Sequence, residues 1–330
     1  RKDGTRTKTK ILEPTMPVFY EDLWNNALIR NYGVFAEYSG KFNRVNLVFA
    51  MRMDLNHGTS DDLILKKKEN IFYQDNNTGS DFINFSASAG GTYDFSEKVS
   101  ASLSIGRGVR SPDMVERFII LLPVGYDRYD YLGNPQLKPE VNNEADVKFE
   151  YKNSKTGYLG VTGFFSYVND YITGMYVPPS VAKPQTAGVL GVKRFENIPE
   201  AYLWGWEITY RTSSVYKWSG VLSIARTCGI NPNAEQYIFE SGNLREIRKV
   251  KNDPLPEIPP LEARLGLGYS FFDGSFIPGI NLRMVAKQDR PSAAYNEQET
   301  PGFVTAGATF KWHFNHYLSV TGGVVNIFDK

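Results

Sequence analysis

Residues 44–55 read Arg-Val-Asn-Leu-Val-Phe-Ala-Met-Arg-Met-Asp-Leu, with apolar and polar side chains in alternation. A β-strand places successive side chains on opposite faces, whereas a helix would mix the two sets. One face of this strand carries Val45, Leu47, Phe49, Met51, Met53 and Leu55. The other face carries Arg44, Asn46, Arg52 and Asp54. The segment is therefore predicted to separate an apolar environment from water.

The same alternation recurs along the chain. It is present in residues 83–95, 100–105, 145–152, 202–211, 261–270 and 304–320. In 145–152 the four charged residues Asp146, Lys148, Glu150 and Lys152 share one face. Because a face with four charges must lie in water, the opposite face must lie in something apolar. Aromatic residues concentrate near the strand ends, as Trp rings and Tyr rings do at membrane interfaces.

The connections distinguish a membrane barrel from a soluble β-sandwich with aromatic core pairs. Short links are expected near 42–44, 96–98, 153–156, 213–217, 272–274 and 315–317, and long polar links near 57–80, 108–141, 178–192, 229–259 and 288–300. Outer-membrane barrels alternate short periplasmic turns with long extracellular loops, whereas a sandwich has no reason to do so. The prediction is an all-β, antiparallel transmembrane β-barrel with about 12 strands, and one more near residues 5–12.

Composition excludes several function classes. The formal net charge of +1 gives no basic face for nucleic acid, so no nucleic-acid partner is expected. The single Cys228 cannot form an internal disulfide, and His57, His313 and His316 are too scattered for a zinc site. The chain contains no nucleophile and base in catalytic spacing, no P-loop and no dinucleotide fingerprint. We therefore predict that the protein is not an enzyme and has neither a cofactor nor a metal site of its own.

Short motifs add a family resemblance. The most specific is Gly133-Asn134-Pro135-Gln136-Leu137-Lys138-Pro139-Glu140, which is close to the Gly-Asn-Pro-x-Leu-Lys-Pro-Glu of TonB-dependent outer-membrane receptors. Other segments that resemble that family, in the same order, are 31–38, 51–54, 106–112 with 116–118, 164–172, 205–207 and 326–330. Together they cover nearly the whole chain, which is similar to the C-terminal part of the receptor barrel.

The resemblance implies an architecture and a location. Residues 1–330 would be a partial barrel domain, with about 12 to 13 strands of a probable total of about 22, in the outer membrane of a Gram-negative bacterium. The plug domain, the coupling segment and the terminal aromatic strand of such receptors are not found in this sequence. The expected partners are outer-membrane lipid, the TonB system, the plug domain of the full-length receptor and a small-molecule or metal-complex ligand. A partial barrel with two open edges is not expected to form a pore alone.

The resemblance also implies a function. It is uptake of a scarce solute, a ferric siderophore or another metal complex, energised through TonB. The alternative is an outer-membrane barrel that captures glycans or binds a protein partner without transporting metal complexes. Exposed aromatic platforms in the loops would favour glycans, whereas aromatic and basic residues that meet above a plug would favour a siderophore.

Candidate ligand contacts lie in the segment 106–131. They are Arg107, Arg110, Tyr126, Arg128, Tyr129 and Tyr131, which combine positive charge with rigid aromatic surface. Another interpretation is that the tyrosines pack the loops together. Arg110 and Glu140 are expected to pair at the base of this loop, where the two prolines of the Gly-Asn-Pro motif stiffen the return to the sheet. This turn could be an ordinary structural turn that returns the chain to the sheet, or it could contact a ligand.

Overall fold

The computed structural model describes residues 2–8, 19–67, 70–123, 127–186, 188–213, 217–240 and 243–329. The strands are β1 (Lys2–Lys8), β2 (Phe19–Phe42), β3 (Val45–Thr59), β4 (Leu63–Lys67), β5 (Asn70–Asp75), β6 (Ser80–Asp94), β7 (Val99–Arg110), β8 (Asp130–Leu132), β9 (Glu140–Asn153), β10 (Gly157–Val177), β11 (Val192–Arg211), β12 (Trp218–Glu240), β13 (Asn243–Pro254), β14 (Glu262–Tyr269), β15 (Phe276–Val285), β16 (Phe303–His313) and β17 (Ser319–Val324). The helices are α1 (Met114–Phe118) and a 3-10 turn at Phe272–Gly274.

One large sheet dominates the chain. Its strands follow the order β1-β2-β3-β6-β7-β9-β10-β11-β12-β14-β15-β16-β17, and each neighbouring pair is antiparallel. The predicted all-β antiparallel architecture is confirmed. β1 supports the strand expected near residues 5–12, although residues 9–12 lie outside the described part. In the parts of the chain that the structure describes, no helix is both long and apolar enough to span a membrane.

The two faces of the sheet differ as the alternation predicted. On the apolar face large side chains remain open, with Leu103 62% and Val147 57% exposed. On the polar face side chains bond across strands, as Ser104 donates to Asp146 at 3.2 Å and Thr92 contacts Ser102 at 2.8 Å between their hydroxyl oxygens. Because burial of apolar surface drives folding in water, an exposed apolar face of this size indicates a lipid environment.

Aromatic rings form a continuous row at the short-turn end of the sheet. The row is Trp218, Tyr269, Phe271, Phe276, Trp312 and Phe314. Neighbouring ring centroids are 4.6 to 6.4 Å apart along it. This row, called the aromatic girdle below, fits the depth at which amphipathic rings lie in a membrane interface.

The long links differ in part from the prediction. The link predicted at 57–80 contains the hairpin β4–β5, and most of that predicted at 229–259 is the upper part of β12 with β13. The sequences of these strands do not keep the apolar and polar alternation over a membrane-spanning length. The signal that identifies a membrane strand is therefore missing from them.

The segment 111–123 with 127–139, called the inward loop, folds back onto the polar face of the sheet. Its residues Phe118 and Leu132 are fully buried and share a cluster with Ala27 of β2. Ile119 and Leu137 form a second cluster with Phe195 of β11. The inward loop thus covers one end of the polar face, at the opposite end from the aromatic girdle.

Candidate functional site

Helix α1 begins the inward loop and has a complete capping box. The backbone N–H of Glu116 donates to the Asp113 carboxylate at 2.8 Å, and the Asp113 N–H donates to the Glu116 carboxylate at 2.7 Å. These bonds satisfy two of the N–H groups that a helix leaves without partners. A five-residue helix can therefore form directly after β7.

Arg110 ties this helix to the base of the loop. Its Nε donates to Glu140 at 2.6 Å, and its two terminal nitrogens donate to Glu116 at 2.8 and 2.9 Å. The predicted Arg110–Glu140 pair is confirmed. One arginine fork holds both ends of the inward loop, since Glu116 follows β7 and Glu140 begins β9.

Arg117 fixes the loop to the polar face and is completely buried. Its guanidinium donates to Asn56 Oδ1 of β3 at 2.6 Å, to Ser80 Oγ of β6 at 3.0 Å and to the Pro112 carbonyl at 2.7 Å. Among the described residues no carboxylate forms an ion pair with it. Burial lowers the pKa of Arg117, and the charges of Glu116 and Asp113 offset part of that effect. Its direct hydrogen bonds are to three neutral acceptors, which replace the water that the charge has lost.

The Gly-Asn-Pro motif has a structural role. Asn134 donates to the Phe195 carbonyl at 2.8 Å and accepts from the Gln136 N–H at 3.0 Å. Asn197 accepts from the Lys138 N–H at 2.9 Å and donates to the Lys138 carbonyl at 3.1 Å. These bonds join the return turn to β11, as the structural interpretation of the motif predicted.

A buried lysine is the centre of the upper part of the site. Lys193, at the start of β11, has a side chain only 4% exposed and forms an ion pair with Asp127. Its Nζ lies 4.2 Å from the ring centroid of Tyr129, 4.8 Å from that of Tyr295 and 5.8 Å from that of Tyr131. Three aromatic faces and one carboxylate therefore replace the water around this ammonium group.

The lysine cluster lies where three loops meet. In the loop 178–191 the N–H groups of Gln185 and Thr186 donate to Asp130, at 2.8 and 3.0 Å. The loop 286–302 is connected through Asn296, which donates to the Tyr129 hydroxyl at 3.3 Å. The buried Asp253, at the end of β13, accepts from Ser292 and from two N–H groups of the same loop. The inward loop and these two loops therefore form one connected surface.

A pH prediction follows from Lys193. Burial lowers its pKa below the ordinary value, and Asp127 offsets only part of that cost. Between the lowered pKa and about 10 the folded loop binds fewer protons than the open one, so its stability rises with pH in that window. Above about 10 the tyrosines begin to oppose this, because burial raises the pKa of Tyr131 and of Tyr129 in the folded state.

The test is hydrogen exchange of residues 127–139 in the full-length receptor in detergent, from pH 7 to 10, corrected for the pH dependence of intrinsic exchange. In Lys193→Met the rise in opening free energy should disappear, since the titrating group is gone. Lys155, in the short turn between β9 and β10 at the opposite end of the barrel, provides the control, and Lys155→Met should leave the alkaline rise intact. An unchanged rise in Lys193→Met would contradict the assignment.

A cleft of about 800 Å³ opens beside this cluster. It lies between the upper ends of β10 and β11 on one side and the β12–β13 hairpin on the other. Lys249 and Lys251 line it, are exposed, and have no ion pair with a described residue. Tyr237 also lines it, and its hydroxyl donates to the Glu235 carboxylate at 3.2 Å. Burial and this carboxylate raise the pKa of the hydroxyl to about 12.

The predicted ligand contacts lie in different parts of the structure. Arg110 bridges two carboxylates, and Tyr129 and Tyr131 are each 4% exposed within the lysine cluster. Arg128 is exposed in the inward loop, and Arg107 is exposed on the same face as Leu103 and Ile105. Tyr126 lies outside the described residues. Their assignment to ligand contact stays a prediction.

Sequence reasoning missed Lys193, Tyr295, Tyr237 and Lys251. No motif marks them, because they come together only through loop packing. In the described parts of the chain no group of three or more His, Cys, Asp or Glu residues could hold a metal ion.

The comparisons with known proteins agree on the fold. A family model described as TonB dependent receptor-like, beta-barrel matches residues 3–327. No curated protein sequence gives a significant match. The copper transporter OprC is 22% identical with a TM-score of 0.72, and the match covers 94% of this chain and 43% of that protein.

Two further solved structures are similar. The Serratia marcescens hemophore receptor HasR, solved with its hemophore HasA and heme, is 15% identical with a TM-score of 0.67, over 94% of this chain and 51% of that one. The FrpB iron transporter from Neisseria meningitidis is 17% identical with a TM-score of 0.60, over 93% and 42%. The chain thus spans about half of the length of these proteins.

Barrels of this kind are Gram-negative outer-membrane receptors and not enzymes. The family match over nearly the entire chain shows that the protein belongs to the TonB-dependent receptor-like β-barrel family.

Proposed function

We propose that this chain forms the wall and the extracellular mouth of a receptor that takes up a ferric siderophore or another metal complex, energised through TonB. Residues 1–330 would act as one barrel domain around a plug domain. The polar face would then line the lumen, and the inward loop would narrow its outer opening. The solved relatives named for copper, iron and hemophore support this class of solute.

The observation that carries the proposal is the cleft beside the lysine cluster. Lys249 and Lys251, which form no ion pair within the described residues, line a space large enough for a bulky, anionic complex. Charge-assisted hydrogen bonds from such groups are among the strongest that a protein can offer to an anion. Tyr129 and Tyr131 are buried, so neither ring offers an exposed surface to a ligand, and the proposal depends on the cleft.

The test is calorimetric titration of the full-length receptor, with its plug, in detergent. Ferric catecholate and ferric hydroxamate siderophores, cobalamin, copper salts and oligosaccharides would each be titrated. For the complex that binds, Lys249→Ala with Lys251→Ala should weaken affinity about 100-fold or more, because each of the two lost charged hydrogen bonds contributes about 1.5–3 kcal/mol.

Lys155→Ala provides the matched control, since Lys155 lies in the short turn between β9 and β10, at the opposite end of the barrel. It should bind like the unmodified receptor. Binding of oligosaccharides alone would contradict the proposal and favour glycan capture. Binding of a metal complex with equal affinity in the double variant would move the contact site away from the cleft.

A further inference from the structure

Arg226 is an unusual residue on the apolar face of β12. It follows Leu222 and Ile224 on that face and is paired in register with Trp206 of β11. A charged side chain in contact with lipid is costly at the centre of a membrane and nearly free of cost at its edge. The depth of Arg226 in the membrane therefore determines how much its charge destabilises the barrel.

The aromatic girdle gives that position. Arg226 is eight residues beyond Trp218, which belongs to the girdle. At about 3.3 Å per residue and a strand tilt of about 40°, this corresponds to about 20 Å across the membrane. The apolar band of an outer-membrane barrel is about 25 Å tall. Arg226 consequently lies near the outer edge of the band, at the depth of the outer-leaflet headgroups.

A second arginine lies nearby. The guanidinium carbon of Arg290, in the loop 286–302, is 5.9 Å from the ring centroid of Trp204, whose side chain is on the same face as Trp206. Arg226 and Arg290 line one cavity of about 100 Å³. Asp289 and Lys287 also line it, and Lys287 is already paired with Glu299. Within the described part of the chain neither arginine forms an ion pair.

We propose that Arg226 and Arg290 bind a phosphate group of an anionic lipid in the outer leaflet. Two guanidinium groups can each offer paired N–H donors to phosphate oxygens, which is the geometry that favours arginine over lysine in phosphate sites. Trp204 would lie at the same headgroup depth, and Leu222 and Ile224 would contact the acyl chains below. The lipid phosphate would supply the counter-charge that the protein does not provide.

The full-length receptor in detergent tests this without any transport assay. Native mass spectrometry would record binding of lipid A, a bisphosphorylated glycolipid, against a dephosphorylated lipid A with the same acyl chains. Arg226→Gln and Arg290→Gln should each weaken binding of the phosphorylated lipid about 10-fold, and Arg226→Lys should restore part of it. The dephosphorylated lipid should bind weakly to all variants.

Arg248→Gln is the matched control, because Arg248 is an exposed arginine on β13, away from the cavity. It should bind lipid like the unmodified receptor. Equal binding of both lipids, or unchanged binding in both arginine variants, would overturn the proposal. A receptor that binds inorganic phosphate as tightly as the lipid would also overturn it, because a soluble anion would then be the ligand. Since no solute is involved, the result is independent of the proposed uptake function.

Discussion

Replacing Arg117 by alanine is expected to release the inward loop from the polar face of the barrel. The change removes three hydrogen bonds and the largest fully buried side chain among the described residues. Truncation of a large buried side chain typically costs about 3–5 kcal/mol, since the surroundings collapse only partly into the space left behind. In the full-length receptor, hydrogen exchange of residues 114–123 should then accelerate at least about 100-fold.

The substitution Arg117→Met distinguishes the contribution of side-chain packing to loop stability from that of the charge. Methionine keeps most of the volume, and it also removes the cost of burying a guanidinium without a carboxylate partner. The loss should therefore be smaller, about 1–2 kcal/mol, and should come from the unsatisfied Asn56 and Ser80 oxygens. Arg128→Ala, in the same loop but exposed, should exchange like the unmodified receptor. Protection of 114–123 that is unchanged in Arg117→Ala would show that the hydrophobic clusters alone hold the loop.

The barrel could be predicted from the sequence because each membrane strand repeats the same local rule. In 145–152 the charges and the apolar residues occupy separate faces, and the structure places them on separate faces of β9. Loop length was also informative, since the predicted link at 178–192 agrees with the observed gap between Val177 and Val192. Both signals depend only on neighbouring residues.

The loop surface could not be predicted in the same way. Arg117 and Asn56 are 61 positions apart, and Lys193 and Asp127 are 66 apart. Such pairs leave no periodicity, because each contact depends on how separate loops fold over the sheet. Tyr129 and Tyr131 illustrate the consequence. The sequence placed them in a candidate recognition segment, and only the structure shows that their side chains are buried around Lys193.

Gly133→Ala should disturb the inward loop about as strongly as Arg117→Ala, for a different reason. A Cβ at Gly133 would lie 2.7 Å from the Arg117 carbonyl oxygen and 2.8 Å from the Ile119 nitrogen. Both are backbone atoms that cannot rotate away. The Gly133 N–H also donates to the Ile119 carbonyl at 2.8 Å, and the Asn134 N–H to the Glu116 carbonyl at 2.8 Å. Relief of the clash must therefore break the bonds that join the two halves of the loop.

We expect a loss of about 3 kcal/mol or more in the loop, because overpacking alone costs about 1–3 kcal/mol and the broken bonds add to it. Limited proteolysis of the full-length receptor in detergent should show new cleavage within 111–139 while the barrel stays intact. Gly108→Ala is the control, since a Cβ there meets no atom within 4 Å. It should resist cleavage like the unmodified receptor. If Gly133→Ala resisted cleavage equally, the two backbone segments could not lie as close together as the structure shows. The presence of glycine at the first position of the Gly-Asn-Pro motif would then need another explanation.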